Sequence, residues 1–304
     1  VDSIADSILA GETWGPTGDL NFDAWTRTLS DHYERDERIA SPIGAKCGAC
    51  QFHANAQELA EGKHSGFEEC WSQAPAWKED SFSIPTVLEI GGFRGKEKLI
   101  TAGKTSMREV TAEDIGFDLS SAEKMTAKER QWLQVNAVQT DSSAMHLKRV
   151  ELRADMEQWT YPLHFIDFET ATPALPFHRG LHAYEPLAFQ FSHHIAHEDG
   201  RIEHRGQHIN THLDAFPNFD FVRALQGELE ADEGTIFRYA AHENTILVKI
   251  REQLLRVDEP PQDAAELIRF IESITSPIKS TKSKWPKPTR DMVDMLALVK
   301  HYFY

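Results

Sequence analysis

The sequence predicts an α/β protein: a mixed β-sheet with flanking helices in its C-terminal part, preceded by a mainly helical, cysteine-containing region. Three observations lead there. From Tyr161 onward, short runs of apolar and β-favouring residues read as strands. After the third of these runs, segments with apolar residues at helical spacing begin to alternate with strands, the order expected of a layered α/β domain. Before Tyr161 the chain reads as helical and irregular, and all three cysteines lie there.

The 304 residues allow two domains and more than one core, and 40% hydrophobic with 26% charged residues is the balance of a soluble globular protein. No apolar run approaches the roughly 18 residues of a membrane span. The opening VDSIADSILAGETWG has no basic segment or long apolar stretch, so no signal peptide is read, and the missing initiator Met suggests a processed or cut chain. Three cysteines are too few and odd in number for a disulfide framework, which makes a reducing cytoplasm the expected setting. A formal net charge of -16 argues against wrapping nucleic acid non-specifically, so any nucleic-acid contact requires a local basic track.

The chain is read in three parts. Residues 1–80 carry the cysteines. Residues 81–160 form a helical connector, in which Met125, Trp132 and Val135 recur at helical spacing; Ser121 with Lys124 makes no capping box, so that helix's start is not fixed by the sequence. Residues 161–304 hold the sheet. LHFIDFE is the first strand, PLAFQFSHHIAH the second, and RIEHRGQHI the third, with Asp199-Gly200 as the hairpin turn between the last two. NFDFVRALQGELEAD is an amphipathic helix with Asn218 as candidate N-cap. GTIFRYA is the fourth strand. HENTILVKIREQLL follows as a helix with Ile246, Leu247, Ile250 and Leu254 on one face, DAAELIRFIESI is another helix, and RDMVDMLALVKHYFY is a strand-to-helix unit or a helix.

Asp167 and Glu169 lie two apart in the first strand, so they project from one face, with Ile166 and Phe168 on the other. Two carboxylates held close repel unless a proton or cation lies between them. Mg²⁺ or Mn²⁺ suits such oxygen donors, and a pair of these ions about 4 Å apart can activate water and stabilise the leaving oxygen of a phosphodiester. Solvated acids at a strand end are the plainer reading. Glu243, in the His242-Glu243-Asn244 that opens a helix after the fourth strand, supplies a further acid; His242 and Asn244 can orient water or phosphate, or cap the helix.

Cys47 and Cys50 form a C-x-x-C, followed by Cys70. That set can hold zinc with His53 or His64 as fourth ligand, or be three free thiols; the lack of a surrounding βαβ pattern argues against a thioredoxin-like redox pair. The histidines in FSHHIAH and EHRGQHINTH alternate along strands, placing His193 and His194 on opposite faces, and most are read as exposed or satisfied in the core. The nucleic-acid track is read in SPIKSTKSKWPKPTR: Lys279, Lys282, Lys284, Lys287 and Arg290 with no acid between them, and Trp285 able to stack on a base. A solvated linker is the alternative. The Gly-x-x-Gly turns of EIGGFRGKEKLITAGKTSMREV are a weaker candidate, and no Walker-type loop occurs.

DFET after an apolar strand resembles the first motif of the DEDD exonucleases, which implies a ribonuclease H-like fold. Taken together, DFET, PLAFQFSHHI, YAAHENTIL and RDMVDMLALVKHYFY resemble domain-of-unknown-function family 2779, whose members carry a RecB-like nuclease module before a DEDD-type domain. The resemblance covers about Tyr161 to Tyr304 well and Pro42 to Trp71 loosely. It places Asp167 and Glu169 in the first motif and Glu243 in the second, where Asp is commoner, and matches Asp294 to an acid that is either a ligand or structural. It implies that Cys47, Cys50 and Cys70 are the C-terminal trio of a 4Fe-4S site whose fourth cysteine precedes Val1. It also implies a last metal-binding Asp in a helix beyond HYFY, so the exonuclease-like domain is expected to be incomplete here.

The expected function is a metal-dependent nuclease, a 3′ to 5′ exonuclease on DNA or RNA in repair or in defence against foreign nucleic acid, with nucleic acid as partner and no membrane. The catalytic set is Asp167, Glu169, Glu243 and Asp294. A non-catalytic nucleic-acid-binding or assembly subunit is the alternative, and a phosphoesterase of small nucleotides a weaker third.

Overall fold

A computed structural model describes residues 15, 18–39, 41–73, 83–118, 123–212, 215–281 and 284–304. The chain divides into two compact units, Val1–Ala122 with Thr126–Met145, and Glu123–Met125 with His146–Tyr304. Ser121 and Lys282 lie outside the described residues.

The described part of the first unit is a series of mostly short helices, started by side-chain caps except at Lys96–Thr101, which follows Gly95. They are α1 (Phe22–Glu34), α2 (Ala56–Ala60), α3 (Gly66–Trp71), α4 (Lys96–Thr101), α5 (Ala112–Ile115) and α6 (Ala127–Thr140), with 3₁₀ turns at Ala45–Ala49, Val87–Glu89 and Met107–Glu109. Thr86 with Glu89, Ser106 with Glu109, Thr111 with Asp114 and Thr126 with Glu129 are reciprocal capping boxes. The α6 box answers the open question about that helix: it starts at Thr126, and Met125 stands before it. Phe67 and Trp71 pack in one core with Val87, Leu88, Ile90, Leu99, Met107, Ile115 and Val135. The sequence reading separates residues 1–80 from the connector; the packing joins them, because α3 is too short to bury Trp71 without the later segments.

The second unit holds a five-stranded mixed sheet: β1 (Leu163–Ala171), β2 (Leu187–Ala196), β3 (Ile202–Ile209), β4 (Ile236–Arg238) and β5 (Val293–Asp294). The order is β3-β2-β1-β4-β5; β1–β2 and β2–β3 are antiparallel, β1–β4 and β4–β5 parallel. The helices are α7 (Arg149–Met156), α8 (Pro217–Leu229), α9 (His242–Arg256), α10 (Ala264–Ile274) and α11 (Met295–Tyr302). Ile166, Phe168, Ala188 and Phe191 from the strands meet Phe221, Leu225, Leu247, Ile250, Leu267 and Phe270 from α8, α9 and α10 in one core. Each of the buried Ile, Leu and Phe side chains contributes about 1.5–3 kcal/mol, so this face of the sheet fixes the register of β1. The β2–β3 turn closes at Asp199-Gly200, where Gly200 N–H reaches His197 O at 3.0 Å. The end of the chain is the strand-to-helix unit, β5 then α11.

Asn218 is not the cap of α8. That helix starts on Pro217, a residue preset for the first turn, with Phe216 as N-cap. Asn218 is fully buried and holds loop to helix: it accepts from Ala188 N (2.7 Å) and donates to Pro186 O (3.0 Å) and Gln253 Oε1 (2.6 Å).

Candidate functional site

The pleat of β1 sorts its residues cleanly. Ile166 and Phe168 are buried while Asp167 and Glu169 are exposed on the opposite face. Across the β1–β2 ladder, Asp167 pairs with Ser192 and Glu169 with Gln190; a bulge follows directly, between Glu169 and Thr170. Bulges re-aim side chains and commonly flank sites.

Glu243 arrives from the other side of a tight turn. β4 ends at Arg238, Ala240 takes a positive φ of 65°, and α9 begins at His242. Glu243 is 3% exposed, and its Oε2 has no hydrogen-bond partner. Burial pushes its carboxyl above the ordinary range, and the Asp167 charge acts in the same direction, against its own backbone N–H, His242 and Arg238. A buried carboxylate oxygen without a donor is costly, and either a proton or a cation relieves it.

Asp294 has a different task. Its Oδ1 accepts from Ala240 N (3.1 Å), Leu296 N (3.0 Å) and Ala297 N (3.2 Å), and Arg238 Nη1 donates to its Oδ2 (3.2 Å). It caps α11 and pins the turn that delivers Glu243. Asn244 is similarly engaged, exchanging two 2.9 Å hydrogen bonds with the backbone of Ser276. His242 is exposed, with Nε2 3.4 Å from Thr170 Oγ1.

Among the described residues, no group of three or more His, Cys, Asp or Glu side chains stands ready to hold a metal ion. The donor set fits a hard divalent ion in its chemistry: acceptor-only oxygens, one of them buried and unsatisfied. Cys47, Cys50 and Cys70 are free and half-buried against the first unit's core, and Gly44 N–H points at Cys47 Sγ (3.4 Å). His53 stacks on Phe67, and His64 is exposed. Among the described residues the three sulfurs belong to no metal-binding group.

Residues 164–304 match the family model described as Domain of unknown function (DUF2779). No curated protein and no solved structure matches the chain. The matched segment contains Asp167, Glu169, Glu243, Asp294 and the whole basic stretch, and leaves the cysteines outside.

Within the matched segment the described basic residues are of two kinds. Lys279, Lys284 and Lys287 are exposed. Trp285 and Arg290 serve the fold. Trp285 packs on the core, donates Nε1–H to Thr275 O (3.0 Å) and carries the Arg251 guanidinium 4.5 Å from its ring. Arg290 donates to the carbonyls of Gly234 and Leu229.

The same segment hides a buried polar array that the sequence reading left among its unassigned histidines. His164 and His193, both 0% exposed, face each other at 2.9 Å (Nδ1 to Nε2); His164 Nε2 lies 2.7 Å from Asp232 Oδ1 and His193 Nδ1 3.1 Å from Glu228 Oε2. Burial holds both imidazoles below their ordinary value, against the carboxylates' pull. Two glycines make the room. A Cβ on Gly234 would fall 2.6 Å from His164 Nε2, and one on Gly206 2.2 Å from Glu228 Oε1. The signal was in the strand: His164 shares the alternation of Ile166 and Phe168, which marks it as buried. The first unit's glycine turns are likewise occupied, since Gln134 Oε1 accepts from Gly91 N and Gln131 Nε2 donates to Gly91 O. Among the described residues no helix is long and apolar enough to cross a membrane.

Proposed function

We propose that residues 161–304 form a ribonuclease H-like, DEDD-type nuclease domain that cleaves phosphodiester bonds of DNA or RNA with Mg²⁺ or Mn²⁺, from the 3′ end as the resemblance implies. The observation that carries this reading is Glu243: a buried carboxylate with an unsatisfied oxygen, at the start of a helix, sensing the charge of Asp167. The strand order, with β1 central and its antiparallel and parallel neighbours on opposite sides, supports the fold assignment.

Asp167, Glu169 and Glu243 would hold the ions. When bound, divalent ions supply a polarised water as nucleophile and charge to stabilise the leaving oxygen. Asp167 and Glu169, exposed on one face, present oxygens toward solvent from which a strand can approach. Glu243, rigid at the base of α9, fixes the site's depth, and Asp294 fixes the turn behind it. Lys279, Lys284 and Lys287 would neutralise backbone phosphates.

The test is Mn²⁺-dependent degradation of 5′-labelled single-stranded DNA and RNA, with Mn²⁺ binding measured in parallel. Asp167→Asn is expected to lower cleavage roughly a hundredfold or more, because an ion's share of transition-state stabilisation is several kcal/mol, and to weaken Mn²⁺ binding. Undiminished Mn²⁺ binding in Asp167→Asn would overturn the assignment. A second reading, a non-catalytic nucleic-acid-binding subunit with a nuclease-derived fold, draws on Glu243 standing where the resembled family more often has Asp and on the net charge of -16. Strand binding without cleavage or carboxylate-dependent Mn²⁺ binding would select it.

A further inference from the structure

The connection from β1 to β2 leaves the sheet immediately after the two carboxylates, at Ala171, and returns at Leu187, its register partner. It is an ordered loop. Tyr184 N–H bonds Pro173 O (2.9 Å), His182 N–H bonds Glu185 Oε2 (2.7 Å), and Arg256 from α9 reaches both Gly180 O (3.3 Å) and the Glu185 carboxylate (2.8 Å). His178 is held edge-on against Phe216.

What this ordered loop exposes is unusual. Leu175 is 78% exposed, Phe177 75% and Tyr184 69%. Tyr184 sits at φ 60°, in the left-handed region that bulky side chains rarely adopt, and strain of this kind concentrates at functional sites. The electrostatics are also out of character for a chain of net charge -16. Between Glu169 and Glu198 the only acid is Glu185, and Arg256 neutralises it. Arg179, His178 and His182 stand in the same loop. An exposed apolar patch by itself fits a protein partner as well. Here the loop sets exposed aromatic rings beside Arg179 and two imidazoles in sequence, lacks free acid, and is continuous in the chain with the carboxylate strand. That combination fits a polyanion with flat, stackable faces.

We propose that the 172–186 loop is a single-strand grip: Phe177 and Tyr184 stack on unpaired bases while Arg179 pairs with a phosphate, presenting the strand to Asp167 and Glu169. The inference rests on the nuclease reading for its orientation, but binding and cleavage are separable.

The probe is a 5′-fluorescein-labelled dT12 and its RNA counterpart, titrated with the full chain in EDTA so that cleavage cannot intrude. Phe177→Ala and Tyr184→Asn, asparagine being at ease at positive φ, are each expected to weaken binding roughly 5- to 150-fold, the range for loss of one base–aromatic stack. Phe177→Trp should bind as wild type and show indole emission quenched by the oligonucleotide. Circular dichroism melts, expected to be unchanged, confirm that the variants fold. Wild-type affinity in both substitution variants, with no quenching in Phe177→Trp, overturns the grip and leaves the nuclease reading standing. Weakened binding in those variants, with no carboxylate-dependent Mn²⁺ binding or cleavage, supports the grip while the nuclease reading falls. If the wild type binds neither strand, the grip fails and the patch belongs to a protein partner, while the nuclease reading is decided separately by the Mn²⁺ assay.

Discussion

Two buried polar groups lie in the second unit, one on each side of the argument about function. In the Asp232–His164–His193–Glu228 array every ring nitrogen has a partner within hydrogen-bond distance. Glu243 is almost as deeply buried, yet one of its oxygens has none. The array is complete within the protein and reads as architecture. The lone carboxylate is incomplete within the protein and reads as half of an interaction. Satisfaction, more than burial or the presence of charge, separates the two.

The largest effect should come from disturbing the support behind Glu243. Asp294→Ala removes the acceptor of three backbone N–H groups and leaves Arg238, whose Nε already lacks a partner, without its carboxylate. The expected loss is about 2–4 kcal/mol from the cap and the unpaired groups together, read from urea unfolding midpoints. A loss under half a kcal/mol would mean that Asp294 is not structural and return it to the list of ligands.

Acid tests the satisfied member of the pair. Both imidazoles have folded pKa values below their ordinary one, so the unfolded chain binds more protons. The stability they contribute is present above the ordinary histidine value and is lost as pH falls through the folded values. The groups facing them are Asp232, Arg290 and His193 around His164, and Glu228, Arg205 and Asp232 around His193. Unfolding midpoints should therefore decline as the buffer is taken from pH 7 toward pH 5; a flat or rising curve contradicts this picture of the array.

Glu243 has the opposite sign. Its folded pKa lies above the ordinary one, so its contribution is present below the ordinary carboxylate value and lost as pH rises through the folded value. Wherever it is ionised without a cation, the side chain is a liability. Glu243→Gln should raise the melting temperature of metal-free protein by a few degrees while weakening Mn²⁺ binding, a stability–function trade-off. A lowered melting temperature would show that the carboxylate has a structural partner after all.

Much of the second unit was legible because its strands and helices obey simple periodicities. The alternation of LHFIDFE located the face on which Asp167 and Glu169 stand, and the helical stripe of Ile246, Leu247, Ile250 and Leu254 is buried as its spacing requires. Local cues that compete were harder to read. Asn218 has the chemistry of a cap, but Pro217 sets the helix start and tertiary contacts claim the amide. Thr126 with Glu129 was overlooked beside the unproductive Ser121 and Lys124. Trp285 and Arg290 look like ligand-binding residues in a loop sequence, and only the fold reveals the Arg251 ring contact and the backbone carbonyls that occupy them. Long-range pairings such as His164 with Asp232, 68 residues apart, leave no local pattern at all.

Asp294 puts the last turns of the chain in control of a bend 54 residues earlier. On the nuclease reading proposed above, an assay that scores only product will rank its loss with the loss of Asp167, although one removes the foundation and the other the tool. Heat distinguishes them: a protein that has lost its foundation melts early whether or not metal is present, and one that has lost its tool stays upright and idle.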